Sequence, residues 1–191
     1  MNFNEPYHII HEVDRLVKDP LSELCATSKL LDCGAGTGLI GLKLAEKGLN
    51  SLKMTGIDAS SSFVEVLQNS SQYEAAHEVW LGRGVHNFPI DLKEQFEIVT
   101  ASGVFLKGHM PASAMDDCHA ALKINGYFVT AMRSCYWQNG NEEGFREKLD
   151  ELVSAGKFRL VNTYTFVRGI EGEVGLFARQ ESRLVCYKKT G

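Results

Sequence analysis

The chain has 191 residues, enough for one domain with a sizeable core, and is 44% hydrophobic and 23% charged, as an ordinary soluble globular protein is. A net charge of −4, a pI near 5.9 and the lack of any basic run weigh against a phosphate-backbone footprint and so against a nucleic-acid partner. No apolar run reaches the roughly 18 residues of a membrane span, and Met1-Asn2-Phe3-Asn4-Glu5 has neither the basic start nor the apolar core of a signal peptide. The five cysteines (Cys25, Cys33, Cys118, Cys135, Cys186) are scattered without a Cys-x-x-Cys pair, which reads as reduced thiols in a cytoplasmic protein rather than a disulfide framework or zinc site.

Ile9, Val13, Leu16 and Val17 recur at i, i+4, i+7 and i+8, one face of a helix that Asp19-Pro20 ends. This helix is expected to cover an edge of the sheet, with His8 and His11 on its surface and outside catalysis. Lys29 to Cys33 reads as the first strand. Glycine then falls at every second position in Gly34-Ala35-Gly36-Thr37-Gly38, ahead of an amphipathic run. That is strand, tight loop and helix, the helix opening at about Thr37, burying Ile40 and Leu44 and closing at Gly48. A helix start aims free N–H groups and the positive dipole end at the loop, a seat for a nucleotide-like ligand carrying a negative group.

Gly36-Thr37-Gly38-Leu39-Ile40-Gly41 also satisfies the dinucleotide pattern G-x-G-x-x-G by letter. Register favours G-x-G-x-G on Gly34, Gly36 and Gly38 instead. The dinucleotide reading would put Asp32 at the strand end as a buried carboxylate, costly without a partner. In the favoured register Asp32 stands at the loop mouth, facing a cationic ligand group.

Lys53 to Asp58 is the second strand. Asp58 lies about 20 residues beyond Gly38, where an acid at a strand tip can accept both ribose hydroxyls of a nucleoside. Ser60 to Ser62 supply caps for the next helix, whose inner face is read as Phe63, Val66 and Leu67. Glu78 to Leu81 is a short third strand with Gly82-Arg83-Gly84 at its carboxyl end. Phe96 to Ser102 is near-continuously apolar, a buried parallel strand. Its end, Ser102-Gly103-Val104, meets the first strand at the topological switch point. Pro111 suits a helix N1 position. Ala114, Cys118, Ala121 and Leu122 give that helix its buried face, and Gly126 ends the following turn. Tyr127 to Met132 is the fifth strand. Phe145, Leu149, Leu152 and Val153 mark a further helix, capped by Gly156. Phe158 to Phe166 and Arg183 to Tyr187 alternate as strands of a terminal hairpin, with a long Gly- and Glu-containing link between them. No internal repeat or second domain is visible in residues 1–191.

Leu31-Asp32-Cys33-Gly34-Ala35-Gly36-Thr37-Gly38, followed by Gly56-Ile57-Asp58-Ala59-Ser60, resembles motif I and its follower in the class I S-adenosylmethionine-dependent methyltransferases, a likeness that covers residues 29–133. A narrower likeness, to methyltransferase-like proteins of the Williams–Beuren region, rests on Thr37-Gly38-Leu39-Ile40-Gly41, Ile57-Asp58-Ala59-Ser60 and Gly103-Val104-Phe105. The resemblance implies a three-layer α/β sandwich around a Rossmann-like, mostly parallel seven-stranded sheet of order 3-2-1-4-5-7-6, its last strand antiparallel. It implies S-adenosyl-L-methionine as cofactor and a binding set of Asp32, Gly34, Ala35, Gly36, Thr37, Gly38, Asp58, Ala59, Phe63, Gly82, Arg83, Gly84, Ser102 and Gly103. In that set the cofactor carboxylate approaches the Gly36–Gly38 backbone, its ammonium meets Asp32 or the fourth-strand carbonyls, Asp58 takes the ribose and Phe63 lies beside the adenine. The family often carries an acid for the adenine amino group where this chain has Arg83, so backbone groups around Arg83 or a nearby side chain would take that role.

A methyl group on a sulfonium is already activated, so the protein mainly positions a nucleophile in line with it. No Asn/Asp-Pro-Pro-aromatic motif follows the fourth strand, where amino-nucleobase methyltransferases carry one; Ser102-Gly103-Val104-Phe105 stands there instead. No Pro-Cys pair for attack on a cytosine ring and no metal-ligand spacing stand out. The acceptor expected is a small molecule or a protein side chain. His109, Arg133, Tyr136 and Trp137 are candidates on its side, with no catalytic residue assigned. Tyr136 and Trp137 could stack a flat substrate or equally pack under residues 138–144. About 29 residues precede the first strand, fewer than related enzymes use for a helix closing over the cofactor, which implies a more open site. A dinucleotide-dependent oxidoreductase and a non-catalytic S-adenosylmethionine-binding module are the alternatives.

Overall fold

The computed structural model describes residues 4–169 and 179–191. The link expected between the terminal strands lies largely outside the described residues. Seven strands, β1 (Lys29–Cys33), β2 (Lys53–Asp58), β3 (Ala75–Glu78), β4 (Phe96–Ser102), β5 (Leu122–Arg133), β6 (Phe158–Arg168) and β7 (Gln180–Lys189), form a sheet of order β3-β2-β1-β4-β5-β7-β6. The β3 to β5 half is parallel, and β7 runs antiparallel to both β5 and β6. The expected architecture and strand order are both present.

Among the described residues five α-helices cover the two faces: α1 (Glu5–Lys18), α2 (Leu39–Glu46), α3 (Ser61–Gln68), α4 (Ala114–Ala121) and α5 (Phe145–Ser154). Ile9, Val13, Leu16, Ile40, Leu44, Val64 and Leu67 of α1, α2 and α3 pack on Leu30, Ile98, Val129 and Leu184. Met115 and Cys118 of α4, and Phe145 and Leu149 of α5, pack on Leu31, Val99, Phe128 and Val185 from the other side. Leu30 and Leu31 of β1, and Ile98 and Val99 of β4, thus pack on opposite faces, which is why consecutive apolar residues stand at the centre of both strands. The α2 helix ends as expected at Gly48 (φ 84°), where Leu49 N–H donates to Leu44 C=O (2.9 Å) and Gly48 N–H to Ala45 C=O (3.0 Å), a Schellman closure.

Several elements differ from expectation. α1 lies across the face above β5 and β7, not along an edge: Ile9, Ile10, Val13 and Leu16 are buried against Tyr127, Val129, Ala131 and Cys186. α3 lies over β2 and β3 instead, which leaves this half of the sheet to the first helix. β3 is Ala75–Glu78, earlier than Glu78 to Leu81, because it pairs only with β2 and the ladder stops where β2 stops, at Asp58 opposite Glu78. On α3 the buried residues are Val64 and Leu67, while Phe63 (41% exposed) and Val66 (47%) face outward. Both {63, 66, 67} and {64, 67} are helical stripes sharing Leu67, so periodicity alone does not choose between them, and the packing of α3 on Tyr73 and Ala76 buries the second. Regular helix begins later than expected after Thr37 and after Pro111, at Leu39 and Ala114. Gly126 sits inside β5, where an added Cβ would meet Lys123 O at 2.9 Å and Glu97 O at 3.1 Å.

Candidate functional site

The carboxyl ends of β1, β2 and β4 open into a cleft of about 680 Å³. Gly34 and Gly36 form its floor, Asp58 and Ala59 one wall, Phe63 and Val79 to Arg83 the outer wall, and Ser102-Gly103-Val104 with Gly108 to Pro111 the side nearest β4. A smaller adjoining cavity of about 150 Å³ shares Gly34, Ser102 and Gly103 and is closed by Pro6, Asp32, Ala35, Leu39 and Ile40. Of the residues expected to bind cofactor, Gly34, Gly36, Asp58, Ala59, Phe63, Gly82, Arg83, Ser102 and Gly103 are brought to the main cleft, and Asp32 and Ala35 to the smaller cavity. Thr37, Gly38 and Gly84 line neither.

The glycine loop hangs on the end of β2. Gly34 N–H and Ala35 N–H both donate to Ile57 C=O (2.8 and 3.1 Å), and Gly36 N–H donates to Asp58 Oδ2 (2.9 Å). Asp58 Oδ1 accepts from Ser60 N–H (3.0 Å). One carboxylate thus joins the loop, the tip of β2 and the cap of α3, and its remaining lone pairs are free for the cleft. Gly34 and Gly36 take φ of 67° and 55°, a region side-chain-bearing residues rarely enter. At Gly34 a Cβ would also stand 2.6 Å from Val104 Cγ1, whereas at Gly36, which lines the cleft, it would meet nothing within 4 Å.

Asp32, expected at the loop mouth facing a ligand, borders the smaller cavity but lies deeper than that expectation has it. It is 1% exposed. Tyr73 Oη donates to its Oδ2 (2.8 Å) and Thr100 Oγ1 to its Oδ1 (2.9 Å), and Tyr73 Oη accepts in turn from Gly41 N–H (3.2 Å). The carboxylate is buried there because these two hydroxyls satisfy it, the partners that make a buried strand-end acid affordable. Nothing near Asp32 in sequence signals them: Tyr73 arrives from the turn before β3 and Thr100 from β4.

Burial, only partly offset by those hydrogen bonds, pushes the Asp32 carboxyl up to about 6 from its ordinary 3.8, and burial beside Asp32 raises Tyr73 as well. An acid that holds its proton more tightly when folded stabilises the fold most below the unfolded value. Its contribution therefore falls as pH rises from about 4 to about 6 and is level above that. The difference is on the order of 3 kcal/mol. Asp32→Asn removes the titration; its amide oxygen can accept from Tyr73 and its NH₂ can donate to Thr100, whose hydroxyl then turns to Leu31 C=O, 3.5 Å away. Urea unfolding across pH 4 to 8 should show the variant gaining on the parent with rising pH, by about 1–3 kcal/mol at pH 7.5. Parallel curves would mean that Asp32 does not titrate in that range.

On the outer wall, Trp80 falls in the connection after β3, 54% exposed, with the Arg83 guanidinium 4.4 Å over its ring. With Phe63 it gives the cleft two partly exposed aromatic side chains, the feature a flat apolar ligand would cover. Gly82 is clamped from the start of α4: its N–H donates to Asp117 Oδ2 (2.7 Å) and its C=O accepts from Ser113 Oγ (3.0 Å). Trp80 lies beyond the strand in which a Glu78 to Leu81 reading puts it, and nothing local in the sequence marks Asp117 or Ser113 for this role. Of the acceptor-side candidates, His109 lines the cleft. Tyr136 instead holds the wall, its hydroxyl accepting from Lys107 N–H (3.1 Å) and its ring edge-on to Phe145. Trp137 lies under the Arg183 guanidinium at 5.6 Å, and neither it nor Arg133 lines the cleft. Among the described residues no group of three or more His, Cys, Asp or Glu could hold a metal, the cysteines are free thiols, and no helix is long and apolar enough to cross a membrane.

Residues 31–128, about half of the chain, match the family model described as a methyltransferase domain. The chain belongs to the methyltransferase domain family. The fold agrees: it superposes on the TehB-like SAM-dependent methyltransferase of Corynebacterium glutamicum with a TM-score of 0.56 at 17% identity, covering 97% of this chain and 100% of that one. On the N-methyltransferase NodS of Bradyrhizobium japonicum WM9 the TM-score is 0.61 at 16% identity, with 97% and 96% covered. In sequence, the methyltransferase domain is 28% identical over 101 residues to the release factor glutamine methyltransferase of Aliivibrio fischeri, covering 52% of this chain and 35% of that protein. It is 22% identical over 158 residues to a tRNA1(Val) (adenine(37)-N6)-methyltransferase of Histophilus somni, covering 82% and 61%. The chain thus spans between about a third and three fifths of the length of these relatives. S-adenosylmethionine is the cofactor of this methyltransferase family, and the cleft fits it: an acid at the β2 tip, a glycine whose missing side chain leaves the floor open, and two partly exposed aromatic side chains.

Proposed function

We propose that this methyltransferase domain transfers the methyl group of S-adenosylmethionine to a small molecule or a protein side chain, with residues 1–191 acting as one domain. The observation that carries the reading is the Gly36 N–H to Asp58 hydrogen bond, which supports it by joining the glycine loop to the acid expected to accept the ribose. When bound, the cofactor supplies an electrophilic methyl carbon. The chain's own part is to seat the nucleoside between Asp58, Phe63 and Trp80, hold the loop against β2, and keep water from the wall formed by Val104 and Met110. The narrower likeness to methyltransferase-like proteins of the Williams–Beuren region adds no acceptor to this reading.

One relative is named for a protein acceptor and another for tRNA. The lack of a basic run, the net charge of −4 and Ser102-Gly103-Val104-Phe105 where an amino-base enzyme would carry Asn/Asp-Pro-Pro-aromatic favour an acceptor other than nucleic acid. Calorimetry with S-adenosylhomocysteine, S-adenosylmethionine and NAD tests the cofactor: the adenosyl ligands are expected to bind and NAD is not, and the reverse pattern would return the oxidoreductase reading. Labelled cofactor incubated with metabolite, protein and RNA fractions tests the acceptor. Label is expected in the first or second, and robust labelling of RNA at physiological salt would move the acceptor to nucleic acid.

A further inference from the structure

The start of α1 carries a buried charge that the fold does not fully use. Glu5 is 1% exposed. Its Oε1 accepts from Arg168 Nη1 (3.0 Å) and from Ser182 Oγ (3.1 Å), tying α1 to the ends of β6 and β7. Its Oε2 is buried and has no hydrogen-bond partner among the described residues. Leaving a buried carboxylate oxygen unpaired costs a protein far more than leaving a neutral group so, and such an atom points to a donor that arrives from outside.

That oxygen faces the cofactor site. Gly103, at φ 66°, lines both the main cleft and the smaller cavity. A Cβ built on Gly103 would find one heavy atom within 4 Å, and it is Glu5 Oε2, at 3.6 Å. The space a side chain would fill at position 103 is therefore empty and walled by this carboxylate, and a small donor seated there comes within hydrogen-bond reach. The neighbouring cavity is bounded by Leu39 and Ile40 at the start of α2, where free N–H groups favour an anion. Side by side, an anion-favouring helix start and an unpaired carboxylate suit a zwitterion, an amino-acid ammonium and carboxylate on one carbon. Asp32 borders the same cavity but is the poorer acceptor for the ammonium, since each of its oxygens already accepts a hydroxyl, from Tyr73 and from Thr100, whereas Glu5 Oε2 accepts from nothing among the described residues.

We propose that Glu5 Oε2 receives the ammonium of the cofactor's amino-acid end, so that α1 and the β6–β7 hairpin are part of the cofactor site. This rests on the S-adenosylmethionine reading above and adds to it a residue upstream of the whole family match. A second consequence is coupling: a ligand that pairs Glu5 also tightens the docking of α1, which Asn162 Nδ2 donating to Glu12 (2.8 Å) and Asn4 Nδ2 donating to Val167 C=O (2.7 Å) already hold to β6.

The test is Glu5→Gln against two ligands, S-adenosylhomocysteine and 5′-methylthioadenosine, which keeps the nucleoside and sulfur but lacks the amino-acid end. Gln can retain the acceptor toward Arg168 and Ser182 and present an NH₂ where Oε2 was. The variant is expected to bind S-adenosylhomocysteine about 10- to 100-fold more weakly than the parent. It should bind methylthioadenosine within about twofold of the parent. Equal S-adenosylhomocysteine affinity in parent and variant overturns the Glu5 assignment and leaves the cofactor reading standing. Failure of the parent to bind S-adenosylhomocysteine overturns both. If Glu5→Gln does not fold, the parent still decides. Hydrogen exchange over residues 5–13 should slow with S-adenosylhomocysteine and not with methylthioadenosine, and equal protection by the two ligands overturns the proposal.

Discussion

Asp58→Ala is expected to weaken S-adenosylhomocysteine binding by roughly 30- to 1000-fold, the equivalent of about 2–4 kcal/mol for two hydrogen bonds sharing one charged acceptor. The carboxylate ends β2 beside the cleft with each oxygen already accepting one backbone N–H, from Gly36 and from Ser60, which fixes its rotamer and aims its other lone pairs at the ligand. From sequence alone such a strand-tip acid would leave stability almost unchanged on removal. The structure revises that. Losing both N–H partners should also cost about 1–3 kcal/mol of fold stability and loosen the glycine loop. Asp58→Asn should fall between parent and Ala in binding, because one amide oxygen can serve Gly36 or Ser60 but not both. Asp91→Ala is the control, since Asp91 is exposed in a short turn away from the cleft. Calorimetry with a parallel melting curve for each variant separates the two effects. Binding within threefold of the parent in a folded Asp58→Ala would remove Asp58 from the ribose.

Gly36→Val is expected to abolish detectable binding while the chain still folds. The backbone at Gly36 is left-handed, so a β-branched residue is strained there, by an amount on the order of 1–3 kcal/mol. Protein atoms do not oppose the side chain, for nothing lies within 4 Å of its Cβ. The Val methyls would instead occupy the floor of the cleft. A loss of more than about 100-fold in affinity with a cooperative thermal transition is the expected pair of results. Gly34→Val is the informative contrast: its Cβ would collide with Val104 at 2.6 Å, so that variant should lose stability as well as binding. Retained affinity in a folded Gly36→Val would place the ligand elsewhere.

Much of this protein is legible in its residues because the physics is local. The glycines at 34, 36 and 38 announce left-handed backbone, and all three take it. Double-faced apolar runs announce buried parallel strands, and β1 and β4 are such strands. Gly48 announces the end of α2 because only the chain's own next residues are needed to close it. Asp58 is readable for a similar reason, since a strand-tip acid a fixed step beyond a glycine loop has few other places to go.

What the tertiary structure alone decided concerns groups whose partners are far away in the chain. Asp32 reads as an acid without partners because its neighbours in sequence offer it nothing; Tyr73 and Thr100, 41 and 68 residues on, each donate to one of its oxygens and bury it beside the smaller cavity. Phe63 and Trp80 carry patterns that suit a core helix face and a strand. They become cleft walls because the β3 ladder ends at Glu78 opposite Asp58, which leaves Trp80 in the connection beyond it, and because α3 buries Val64 and Leu67 and leaves Phe63 exposed. Glu5 gave no sign of function in an amphipathic helix. Its placement required Arg168 and Ser182 from the opposite end of the chain to bury it, and Gly103 to leave room beside it. Backbone conformation and hydrophobic period are set by neighbours within a few residues and can be read along the chain. Whether a charge is satisfied or left waiting for a ligand depends on which distant groups the fold brings within 3 Å.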